Sequence, residues 1–148
     1  MSKDAPRRCE FFSDELNLEL DTTIAADLRE IDGVVERVLA VGASMNCGVG
    51  KEFEIETALR EALANAVVHG AKHDRREKIQ IAVACDERRG MLIVVRDPGG
   101  GFDPESVPSP THGQNLYRSH GRGIYLINEL MDEVRFERGG AEIWMRKH

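Results

Sequence analysis

Hydrophobic positions change period along the chain, and each change marks an element. The clearest helical stretch ends at Gly70: Ile55, Leu59, Ala62, Leu63, Ala66 and Val67 share one broad arc at about 3.6 residues per turn. Lys51 opens this helix, Gly70 is a natural C-terminal stop, and His69 sits in the last turn. Upstream, residues 16–20 alternate cleanly and predict a short strand at a sheet edge. Residues 22–45 carry Ile24, Leu28, Ile31, Val34, Val35, Val38, Leu39 and Gly42 at helical spacing, with Gly33 marking a break or the true start nearby. A turn at 46–50 separates the two helices.

After Gly70 the period shortens. Residues 71–77 form a charged loop, and Ile79, Ile81 and Val83 alternate in a half-buried strand. Turn residues at 86–90 and an apolar run at 91–95 complete a hairpin. Residues 97–121 have little periodicity and much Gly, Pro, Ser and His, the signature of a functional loop such as a lid. Ile124, Leu126, Ile127, Leu130 and Met131 predict a short helix over 123–131. Strands at 133–138 and 141–145, joined by a two-residue Gly139-Gly140 turn, close the chain. Strands linked by hairpins imply a mixed, mostly antiparallel sheet with helices on one face, an α+β two-layer sandwich.

The 148 residues fit one domain, expected at 14–148 behind a flexible polar segment at 1–13. A hydrophobic share of 41% and a charged share of 31% are ordinary for a globular protein. The net charge of -6 argues against nucleic-acid binding by general phosphate attraction. No apolar run is long enough to span a membrane, and the basic N-terminus has no apolar segment behind it, so no secretory signal is read. Three scattered cysteines, Cys9, Cys47 and Cys85, suit reduced thiols in a cytoplasmic protein, and no spacing suggests zinc.

Three stretches carry candidate chemistry. Glu61 and Asn65 stack one turn apart, opposite Leu59 and Leu63. A carboxylate and an amide so placed suit Mg²⁺ and a nearby hydroxyl, although such a pair is more commonly a solvated face. Asp97 leaves an apolar strand and is followed by Gly99, Gly100 and Gly101. Its carboxylate can accept from an exocyclic amine while the glycines admit a flat ligand, yet Asp-Pro-Gly is also a good turn, and the two readings balance. Gly121 and Gly123 enter a helix whose N-terminal amides could hold phosphate, or they simply loosen its start. No P-loop or dinucleotide fingerprint occurs.

The order and intervals of these stretches resemble the GHKL ATPases, which share the Bergerat fold, over roughly residues 16–147. The wording Glu61-Ala-Leu-Ala-Asn65-Ala-Val-Val-His69-Gly70 and the ending that begins Gly121-Arg-Gly123-Ile-Tyr-Leu-Ile look most like the stand-alone serine kinases that act as anti-sigma factors. The resemblance implies that ATP and Mg²⁺ bind, Asn65 holding the metal and Glu61 acting as base. It also implies that Asp97 meets the adenine amine beside Gly99 and Gly101, and that Gly121 and Gly123 offer amides to the phosphates. Arg118, slightly preferred over Arg122, would meet the γ-phosphate. Residues 105–120 match no lid wording of that family, and His69 reads first as a helix-capping residue. Implied partners are a sigma factor or equivalent regulator, an antagonist protein phosphorylated on Ser or Thr, and a second copy through the first strand and helix. The alternative is a catalytically silent nucleotide-binding module that sequesters a regulatory partner.

Overall fold

The computed structural model describes residues 17–86, 88–99 and 119–148, with backbone alone at 17 and 119–122. Among them are strands β1 (Asn17–Ala25), β2 (Lys78–Asp86), β3 (Gly90–Arg96), β4 (Glu133–Glu137) and β5 (Glu142–Lys147). They form one sheet in the order β1-β2-β3-β5-β4, and each neighbouring pair is antiparallel. The parallel component that a mixed sheet would need is absent among the described residues.

Helices α1 (Ile31–Ser44), α2 (Glu52–Asn65) and α3 (Ser119–Leu130) cover one face. Period-two alternation turns Ile79, Ile81 and Val83 of β2, Met91, Ile93 and Val95 of β3, and Ile143 and Met145 of β5 toward them. There they meet Val34, Val35 and Val38 of α1, Ile55, Leu59 and Leu63 of α2, and Ile127 of α3 in one core. The expected sandwich is therefore the observed one. The opposite sheet face holds a smaller cluster of Ala82, Ala84, Leu92, Val94 and Trp144. Beside it Glu142 is fully buried, accepting from Trp144 Nε1 at 2.6 Å and pairing with Arg96. Arg135 lies 5.9 Å from the Trp144 ring centre.

Five sequence expectations change. The first strand runs on to Ala25, because Thr22, Thr23 and Ile24 are β-branched and pair with Ile81, Gln80 and Ile79. The first helix therefore starts at Ile31, after a 3₁₀ turn (Leu28–Glu30) whose N-cap Asp27 accepts from the Arg29 N–H at 2.9 Å. The third helix begins at Ser119, four residues early, inside the stretch read as lid. Strand β4 stops at Glu137, paired with Glu142, so the closing connection spans four residues rather than two. Arg138, Gly139 and Gly140 all take positive φ there, which suits a longer turn. Finally, Cys47 and Cys85 form a disulfide with their Cα atoms 6.1 Å apart, where reduced thiols were expected. A separation of 38 residues gives no motif, and only folding brings the α1–α2 loop onto the end of β2. Cys9 lies outside the described residues.

Candidate functional site

Asp97 stands where β3 ends, held by its backbone N–H donating to Ala141 O at 2.8 Å. It is only 7% exposed. The Gly99 N–H donates to its Oδ1 at 2.9 Å, which aims the carboxyl group. Gly70 presses against the same carboxyl: a Cβ on Gly70 would overlap Asp97, and one on Gly99 would overlap the Gly70 carbonyl oxygen. Neither glycine takes positive φ, so close approach is the reason for the residue type at both positions. Burial pushes the Asp97 carboxyl up to about 6, against the opposing pull of the Gly99 N–H and the Arg138 charge.

A pocket opens beside this carboxyl. Ala62, Asn65 and Ala66 line it from one side, Val95 and Asp97 from β3, and Phe136, Gly140, Ala141 and Ile143 from the closing hairpin. Mostly apolar walls, with the Asp97 carboxylate and the Asn65 amide among them, suit a flat ring carrying an N–H donor.

Asn65, the last residue of α2, also belongs to a second cluster. Glu61 and Asn65 both point at the first turns of α3. A Cβ on Gly123 would lie 2.8 Å from Glu61 Oε2, 3.4 Å from Asn65 Nδ2 and 3.6 Å from Asn65 Oδ1. Gly123 thus lets α3 come close to the Glu-Asn face. Because the helix starts at Ser119, Gly121 falls among the first four residues, whose amides have no partner within the helix. Gly123 lies beyond them. It stands at the contact with Glu61 and Asn65.

Between the clusters α2 widens into a π-helical turn (Ala66–Gly70), with the Ala71 N–H donating to Ala66 O at 2.8 Å. Such bulges recur at functional sites, and this one carries the chain from Asn65 round to Gly70 beneath Asp97. His69 sits in the π turn, half-buried, its proton affinity lowered by burial and then by His73. It does not line the pocket beside Asp97.

The structure thus gathers Glu61, Asn65, Asp97, Gly99 and Gly123, with Gly121 in the first turn of α3. Gly101 and Arg118 lie outside the described residues, and Arg122 is described by its backbone alone. Among the described residues, no group of three or more His, Cys, Asp or Glu side chains is placed to hold a metal. Sequence reading missed Gly70 as a contact of Asp97, taking it only as a helix stop. It also missed Phe136, Ala141 and Ile143, which come from a hairpin far along the chain and carry no local signal.

A helix-backed antiparallel sheet, with a strand-end carboxylate facing a Glu/Asn helix, defines the histidine-kinase-like class of ATP-binding domain. The chain belongs to that family, its residues 24–147 matching the Histidine kinase-like ATPase domain. The family implies ATP binding. Among curated proteins, the chain is 29% identical over 127 residues to serine-protein kinase RsbW of Bacillus subtilis, covering 80% of this chain and 79% of that one. It is 32% identical over 118 residues to anti-sigma F factor of Geobacillus kaustophilus, covering 75% and 79%. Anti-sigma F factor of Priestia megaterium is 32% identical over 101 residues, covering 64% and 68%. Among the described residues, no helix is long and apolar enough to cross a membrane.

Proposed function

We propose that this chain is an ATP-dependent protein serine/threonine kinase of the anti-sigma type. It binds a sigma factor or equivalent regulator and phosphorylates a Ser or Thr on a small antagonist protein, exchanging partners by nucleotide state. The observation that carries the reading is Asn65, which lines the Asp97 pocket and stands with Glu61 against Gly123. One continuous site then runs from a ring-binding slot to a carboxylate beside a helix N-terminus.

The residues fit a nucleotide. Gly70 and Gly99 let the backbone close tightly around the Asp97 carboxyl, an approach that a Cβ on either would block. Asp97 accepts from the exocyclic amine of adenine, while its Oδ1 stays fixed by the Gly99 N–H. Amides of the first α3 turn, Gly121 included, and the helix dipole favour phosphate oxygens. The Asn65 side-chain oxygen is the ligand for Mg²⁺, which when bound neutralises phosphate charge. Glu61 takes the proton of the target hydroxyl. Phosphoryl transfer is carried mainly by positioning and charge, which suits so few groups. Arg118, or failing it Arg122, meets the γ-phosphate, and Gly101 packs beside the base with Gly99. The proposal includes a homodimer through β1 and α1, supported by the place of β1 at the sheet edge.

The test is transfer of labelled γ-phosphate to a cognate antagonist by the wild type and by Glu61→Ala. Transfer lost with ATP still bound is the expected result, and unchanged transfer overturns the base assignment. Binding by the wild type without transfer to any antagonist favours the sequestering module instead.

A further inference from the structure

We propose that Cys47 and Cys85 are a reversible redox pair, closed by a hydroperoxide and reopened by a dithiol, which pins the start of α2 to the sheet. Nothing in the phosphoryl-transfer reading uses either residue. Their Cα separation of 6.1 Å falls within the range that a disulfide spans.

Backbone contacts hold Cys47 in place whether or not the bond exists. The Cys47 N–H donates to Gly42 O at 2.8 Å, the Lys51 N–H to Gly48 O at 2.9 Å, and the Ile55 N–H to Lys51 O at 3.0 Å. The loop needs left-handed backbone at Asn46 (φ 57), Gly48 (φ 70) and Gly50 (φ 83), and two of these three are glycine. It is also tightly seated. A Cβ on Gly48 would lie 2.5 Å from Ile55 Cδ1, and one on Gly42 2.6 Å from Met91 Cε. Cys85 is fixed independently by its sheet register, opposite Asn17 on β1 and Met91 on β3.

The open form is provided for as well. Cys47 Sγ is 3.7 Å from Asp86 O, so a thiol there has an acceptor without any rearrangement. Both sulfurs are buried, Cys47 at 4% and Cys85 at 2% exposure, while Met45 and Val49 of the same loop are exposed. Reagents reach the pair when this loop opens, so the reaction is slow and gated.

The chemistry balances. One thiolate attacks the hydroperoxide oxygen, giving a sulfenic acid and an alcohol; the second thiol displaces water to form the S–S bond. Two thiols lose two hydrogens, and the hydroperoxide becomes alcohol and water. A dithiol reverses this by exchange through a mixed disulfide. Because α2 begins at Glu52 and carries Glu61 and Asn65, the crosslink tethers the helix on which the proposed kinase site depends. That consequence rests on the functional reading above; the redox claim does not.

The experiment uses the full chain with Cys9→Ser, so that the pair alone titrates. After hydroperoxide, intact mass should fall by two hydrogens and no thiol should react under denaturing conditions. A crosslink of this span should raise Tm by roughly 10 °C over the dithiol-treated form. Adding Cys85→Ser should abolish both changes. The proposal is overturned if hydroperoxide leaves both thiols free, if closure leaves Tm unchanged, or if a dithiol reopens the bond only in denaturant. None of these readings requires ATP or an antagonist, so failure here is distinct from failure of the kinase reading.

Discussion

Replacing Asp97 by Asn should make the protein more stable while weakening its nucleotide site. Burial raises the Asp97 carboxyl from 3.8 to about 6, so the folded chain holds the ionised form at a disadvantage. That shift corresponds to about 3 kcal/mol of stability forgone at pH 7. Between the two values the folded state binds the proton more tightly than the unfolded chain does. The contribution of Asp97 to stability therefore improves as pH falls through about 6 and levels off below the unfolded value. Asn keeps an oxygen that can accept from the Gly99 N–H but carries no charge. Asp97→Asn should be more stable than the wild type by up to about 3 kcal/mol at pH 7, with the difference vanishing toward pH 4. Urea unfolding of both proteins at the two pH values measures this, and the comparison cancels other carboxylates common to both. A variant that is less stable at pH 7, or a difference that does not change with pH, would refute the reasoning.

Two further substitutions probe the same structure. Gly123→Ala places a methyl against the end of the flexible Glu61 side chain within a helix, so stability should hold or rise by up to about 1 kcal/mol. Phosphate transfer should nonetheless fall about 100-fold through displaced Glu61, and a variant with full transfer would remove Gly123 from the site. Glu142→Ala strands Arg96 and the Trp144 N–H on the second sheet face, and should cost about 3 kcal/mol or more in thermal unfolding. A loss below about 1 kcal/mol would mean that the pair is not the constraint its burial suggests.

The long helix was legible from its single apolar arc and β2 from its alternation, whereas β3, buried on both faces, showed as a continuous apolar run. Asp97 was legible because a charge at the end of an apolar run is unusual. Residues 22–25 were misread because Ile24 falls in helical step with Leu28 and Ile31 by coincidence, while pairing with β2 decides their conformation. The true start of α3 was hidden because Ser119, His120 and Gly121 give no apolar period. Gly70 was read for its local effect, although its tightest contact, Asp97, is 27 residues away along the chain. The Cys47–Cys85 pairing and the burial of Glu142 come from tertiary neighbours and leave no mark in the local pattern.

The central claim is that the slot beside Asp97 receives adenine. Calorimetric titration of Mg·ATP into the wild type and into Asp97→Asn at pH 7 tests it most directly. The account predicts binding by the wild type and affinity at least about tenfold weaker in the variant, the loss of one charge-assisted hydrogen bond. No binding by the wild type, or equal affinity in the two proteins, would contradict it.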